Sequence, residues 1–137
     1  MTPGVSAYSF DRPRERPAPS GFTGHTLSGD AVTKTFTSPT LIVAIKPSCD
    51  GCHDFVHSSL DELNHVRTIV VSREADEQAE WTKSLQPVFV APELMDALDI
   101  KWPPFYVLID PTRQLVLTEG VVFGPAQVAS EIASYLV

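Results

Sequence analysis

Apolar positions along this chain change their period several times, and each change marks an element. From Phe22 onward, short runs alternate apolar and polar residues around Ser28-Gly29-Asp30, a pattern that predicts a β-hairpin. Residues 41–46 form a continuous branched-aliphatic run between Pro39 and Pro47, which suits a strand buried on both faces of a partly parallel sheet. After Cys49 the step lengthens. Cys52, Phe55, Val56, Ser59, Leu60 and Leu63 recur at three and four residues, predicting a helix that begins near Cys49 and turns one apolar stripe toward the sheet.

Residues 68–72 read as a second buried strand, and the charge-rich residues 73–84 as a surface helix with Trp81 near its end. Val88-Phe89-Val90 is a short strand, and Pro92 at a first helical position opens a helix through Leu94 and Leu98. Trp102-Pro103-Pro104 then halts regular structure. Residues 105–109 and 115–118 flank Asp110-Pro111-Thr112-Arg113 as a hairpin, with Asp110 capping its own turn. Gly124-Pro125 starts a last helix whose Val128, Ile132 and Leu136 make one core-facing stripe. This order specifies an α/β sandwich, a central mixed sheet flanked by helices with an antiparallel edge, preceded by an added N-terminal hairpin. No internal repeat is present.

Composition narrows the class. A length of 137 residues is one domain, able to bury roughly two thirds of its unfolded surface. Residues 1–20 interleave Pro3, Pro13, Pro17 and Pro19 with Arg12, Arg14, Glu15 and Arg16 and offer little to bury, so they read as a flexible lead to a domain over residues 21–137. A formal charge of -7 disfavours a nucleic-acid binder, which needs a basic face against phosphates. No run of eighteen apolar residues and no charged-then-apolar leader appears, so the expectation is a monomer with no membrane span, cytoplasmic unless an anchor has been removed.

The two cysteines are spaced as Cys49-Asp50-Gly51-Cys52. Dithiol exchange, zinc binding and haem attachment all use this spacing. At a helix N-terminus, unsatisfied backbone N–H groups and the positive end of the dipole stabilise a thiolate, which favours attack by Cys49. Cys52, one turn on and more covered, is placed to resolve a mixed disulfide. The negative charge of Asp50 opposes the thiolate and leans the pair toward reduction of partners rather than oxidation.

These residues resemble the thioredoxin superfamily over the span from about Phe22 to the C-terminus. Three elements carry the likeness: the buried strand with Cys49-Asp50-Gly51-Cys52 and its helix, Pro104 followed by Phe105-Tyr106-Val107-Leu108-Ile109-Asp110, and the terminal hairpin and helix. The resemblance implies a cis peptide before Pro104, with Pro104 facing the dithiol and helping to position substrate backbone. The added hairpin and the long segment between Cys52 and Pro104 look more like thiol-disulfide reductases of the cytochrome-maturation and methylamine-utilisation types than like minimal thioredoxin. The family implies a protein disulfide or dithiol as substrate, an electron donor of unspecified identity, and no cofactor. The chain departs from the family pattern in three places. Pro47-Ser48 replaces the tryptophan before the first cysteine, the insert is Asp-Gly, and the position of the family's buried acid is Val43, leaving Glu62 or a water to accept the proton. Trp102, Pro103 and Phe105 would form an apolar lip that grips an extended partner. A thioredoxin-like adaptor that binds through this lip without efficient exchange is the alternative function.

Two ligand chemistries compete for the same cysteines. Cys49 to His53 also satisfies Cys-x-x-Cys-His, with His53 as iron ligand and Met95 as the internal sixth ligand, but a strand precedes the motif where a cytochrome is mainly helical. Zinc would take Cys49 and Cys52 with two of His25, His53, His57 and His65, yet the aliphatic content is ample to fold without a structural metal. No metal is therefore expected. Hydrolase and nucleotide-dependent readings have no Ser-His-Asp order or phosphate-cradling glycine loop to stand on.

Overall fold

A computed structural model describes residues 16–46, 63, 66–74 and 87–136. Both cysteines, and the helices expected over residues 49–63 and 73–84, lie outside the described residues apart from Leu63, Arg73 and Glu74.

The strands are β1 (Gly21–Thr26), β2 (Ala31–Thr35), β3 (Thr40–Ile45), β4 (Arg67–Ser72), β5 (Val88–Val90), β6 (Phe105–Asp110) and β7 (Leu115–Val121). The helices are α1 (Pro92–Ala97) and α2 (Pro125–Ile132), the latter followed by a 3-10 turn at Ala133–Tyr135. All seven strands join one mixed sheet in the order β2-β1-β5-β4-β3-β6-β7. β3 runs parallel to β4 and β4 to β5, whereas β6 is antiparallel to β3 and β7 to β6. The added hairpin sits at one edge, β1 antiparallel to β5. Gly29 closes it at φ +96°, a backbone conformation that glycine adopts without penalty. Gly24 permits the close approach of the two strands, since a Cβ there would strike the Val90 carbonyl oxygen.

Every residue of β3 is fully buried, as its unbroken aliphatic run predicts. Leu41, Val43 and Ile45 face one layer with Leu63, Val70, Tyr106 and, from α2, Val128 and Ile132. Ile42 and Ala44 face the other with Ile69, Val107, and Leu94, Met95 and Leu98 of the α1 region. The strand therefore anchors both layers and fixes where its C-terminal end emerges. Met95, the residue considered as an iron ligand, is a buried member of the second layer.

The N-terminal lead differs from expectation at its C-terminal end. Pro17 bridges Leu115, the Ala18 amide donates to the Gln114 carbonyl at 2.8 Å, the Val116 amide donates to the Arg16 carbonyl at 2.8 Å, and Ala18 is buried. From Arg16 the chain thus covers the outer edge of β7. Arg16 also donates to both oxygens of Glu119, at 2.5 and 3.3 Å, and to the Leu98 carbonyl at 2.6 Å. Pro17 is tolerated because the missing N–H lies between the two bonded neighbours, where a ladder donor is not needed. With the two charged side chains only 14% and 12% exposed, Arg16→Met is expected to destabilise the fold by about 2 kcal/mol, read as a lowered urea midpoint. An unchanged midpoint would reduce the pair to a surface contact.

Candidate active site

The site is built where β3 ends. Lys46 follows its last residue and the sequence reaches Cys49 three positions later. On the neighbouring strand Phe105 pairs with Ala44, so one further step of the same antiparallel register brings Pro104 level with Ile45. The peptide bond between Pro103 and Pro104 is cis. The loop ahead of β6 therefore lies beside the point from which the cysteine segment departs.

The three residues expected to form an apolar lip behave differently from one another. Trp102 is 79% exposed, whereas Pro103 is half-buried and Phe105 packs partly against the second core layer. Trp102 and Phe105 line a concavity of about 380 Å³ together with Val121, Asp99 and Lys101. A second cavity of about 450 Å³ is lined by Pro103 with Lys46, Arg73, Asp96 and Met95. There the hydrogen bond from Arg73 to Asp96, at 2.7 Å, holds the Asp96 carboxyl below its ordinary value.

Sequence reasoning missed the loop opposite. β7 runs to Val121, beyond the expected end at residue 118, because Glu119, Gly120 and Val121 pair with Val107, Tyr106 and Phe105. Gly120 fits there because a Cβ would crowd the Tyr106 ring. The loop that follows presents Phe123, 85% exposed, beside Val121, 48% exposed. The Val122 amide donates to the Pro104 carbonyl at 3.1 Å and so ties this loop to the proline loop. The only signal in the sequence was a phenylalanine outside any helical or strand period.

Gln127 holds the same loop from the first turn of α2. Its Oε1 accepts from the Phe123 amide at 2.7 Å and the Gly124 amide at 3.3 Å, and its Nε2 donates to the Val121 carbonyl at 3.0 Å and to Glu131 Oε2 at 2.8 Å. The Tyr106 hydroxyl donates to the other Glu131 oxygen at 2.7 Å. Burial pushes the Tyr106 hydroxyl well above the ordinary tyrosine value and the bond to Glu131 adds to the shift, so this phenol stays a donor. Val43 is fully buried among apolar neighbours, with no carboxylate at its position.

Solved structures share this fold. The thioredoxin domain of a thiol-disulfide oxidoreductase from Bacteroides vulgatus superposes with a TM-score of 0.68 at 16% identity, covering 93% of this chain and 100% of that one. The fold is thioredoxin-like. A secreted Mycobacterium tuberculosis disulfide oxidoreductase homologous to E. coli DsbE gives a TM-score of 0.64 at 16% identity, over 82% of this chain and 95% of that one. StoA from Bacillus subtilis gives 0.61 at 16% identity, over 84% and 98%. No protein-family model matches the sequence, and no curated protein matches it. At this identity the likeness speaks for the thioredoxin-like fold, while chemistry has to be argued from the residues.

The residues weighed as ligands do not converge among the described residues. His25 is exposed in β1, paired with Ala31 and Val90 at the hairpin edge. His53, His57 and His65 lie outside the described residues, as do Glu62, Cys49 and Cys52. No group of three or more metal-capable side chains occurs among the described residues, and no helix among them is long and apolar enough to cross a membrane. Asp110 accepts from the Thr112 and Arg113 amides at 3.1 and 3.4 Å, the turn role its sequence position implied.

Proposed function

We propose that the chain is a thiol-disulfide oxidoreductase that reduces protein disulfides through Cys49 and Cys52. The observation that carries the reading is the junction of β3 with the 102–105 loop on a thioredoxin-like fold. The buried strand leads in sequence into Cys-Asp-Gly-Cys, and its last residues lie beside Pro104. A Cys49 thiolate attacks one sulfur of the partner disulfide, forming a mixed disulfide and releasing the other partner sulfur as a thiolate that takes up a proton. Cys52, deprotonated, then attacks Cys49 sulfur, expelling the second partner thiolate and leaving the Cys49–Cys52 disulfide. An external dithiol donor returns the two electrons. Pro104 positions partner backbone, and Trp102, Pro103 and Phe105 contact the flanking chain.

An alkylation and intact-mass titration of the two cysteines across defined thiol-disulfide buffers tests the reading. The expected result is one reversible two-electron step, roughly between -120 and -300 mV, on the reducing side of that range. A pair that forms no disulfide anywhere in the range, or a retained metal or haem mass, would overturn it.

The buried Val43, where no acid is present to relay a proton, favours a second reading: an adaptor that binds partners through the lip without efficient exchange.

A further inference from the structure

Trp102 and Phe123 are the two most exposed large apolar side chains among the described residues, and they sit on loops joined by the Val122 to Pro104 hydrogen bond. An exposed aromatic on a loose loop gains little on binding, because the contact must first offset the entropy of ordering the loop. Loop 121–124 is not loose. A single amide side chain satisfies two of its N–H groups and one carbonyl, which only a group carrying both acceptor and donor can do.

We propose that Gln127 is a positioning residue for partner capture, fixing loop 121–124 so that Phe123 stands with Trp102 against an extended apolar segment flanking the disulfide of a protein substrate. The proposal rests on the thiol-disulfide reading above. The chemistry of the occupant follows from what the two loops lack. Pro103 and Pro104 carry no N–H, so at these two positions the proline loop donates no hydrogen bond to a peptide backbone. Lys101 and Asp99, at the rim of the concavity, approach to 3.5 Å, so the rim carries one charge of each sign. A segment of one charge sign meets no net opposite charge at that rim, whereas apolar side chains would bury against Trp102, Val121 and Phe123.

Gln127→Met keeps the side-chain length and removes all four of its hydrogen bonds. Insulin and hydroxyethyl disulfide, the latter without polypeptide flanks, serve as the two substrates. The expected result is a loss of kcat/KM on insulin about tenfold greater than the loss on hydroxyethyl disulfide, carried by KM. Equal losses on both substrates, or none, would overturn the proposal. Phe123→Ala alters an exposed side chain and provides a second variant that folds independently of the Gln127 network. It is expected to reproduce the insulin-selective loss, and the double variant to be no worse than the more affected single one, because both act through one contact. Additive losses would overturn the link between the two residues. If the unaltered chain reduces neither substrate, the thiol-disulfide reading falls and the role of Gln127 falls with it, an outcome distinct from a functional chain indifferent to Gln127→Met.

Discussion

Cys49→Ser is expected to abolish the reduction of a protein disulfide, leaving only the uncatalysed rate. The reaction begins with a thiolate, and a serine hydroxyl neither ionises near neutral pH nor exchanges with a sulfur–sulfur bond. Cys52→Ser has a different expected outcome, because the first attack still occurs and the second does not. The variant should accumulate a covalent adduct with its substrate, read as the sum of the two masses and dispersed by added dithiol. The pair of variants therefore assigns attack and resolution separately. Insulin reduced equally well by Cys49→Ser would show the assignment to be wrong. A partner complex that survives Cys49→Ser with unchanged affinity, together with no trapped adduct in Cys52→Ser, would instead establish the adaptor reading.

The parts of the fold legible in sequence are those whose signal is local. An uninterrupted aliphatic run such as residues 41–46 has one stable destination, a strand covered on both faces, and β3 takes it. Ser28-Gly29-Asp30 and the turn at Asp110 encode their own geometry, and both appear where expected. What escaped detection depends on partners distant in sequence. Arg16 looked like one more charge in a proline-rich lead, yet its function is set by Glu119, 103 residues away, and the Leu98 carbonyl, 82 residues away. β7 was cut short at Glu119-Gly120 because both residues disfavour strands in isolation, while pairing with Val107 and Tyr106 extends it. The same distance hid the loop that is proposed to complete the lip. Trp102 announces itself beside Pro103-Pro104, but Phe123 becomes relevant only once Val122 bonds to the Pro104 carbonyl, and Gln127 only once its amide closes on that loop.

Installing an acid at the buried position 43 should destabilise this chain progressively as the pH rises. Val43 is fully buried: it pairs with Val70 and Tyr106, and Leu41, Ile45, Val70 and Tyr106 share its layer. The hydroxyl of Tyr106, its register partner on β6, already donates to Glu131. In Val43→Asp the carboxyl would sit with the apolar side chains of this layer among the described residues, so burial is expected to raise its folded pKa above the unfolded value of about 3.9. The native state then holds a proton that the unfolded chain releases. Below pH ~3.9 both states are protonated and the variant loses only packing and the desolvation of a neutral group. Above it, stability falls by about 1.4 kcal/mol per pH unit until the folded pKa is reached, roughly 4 kcal/mol by pH 7. That is a large fraction of the roughly 5–15 kcal/mol that holds a domain together. Urea melts of the parent and Val43→Asp at pH 4 and pH 7 measure the difference directly. A stability gap that widens between the two pH values identifies a buried carboxyl whose pKa is raised in the folded state. An equal gap at both would mean that a donor reaches position 43, and that this core could carry the acid its sequence lacks.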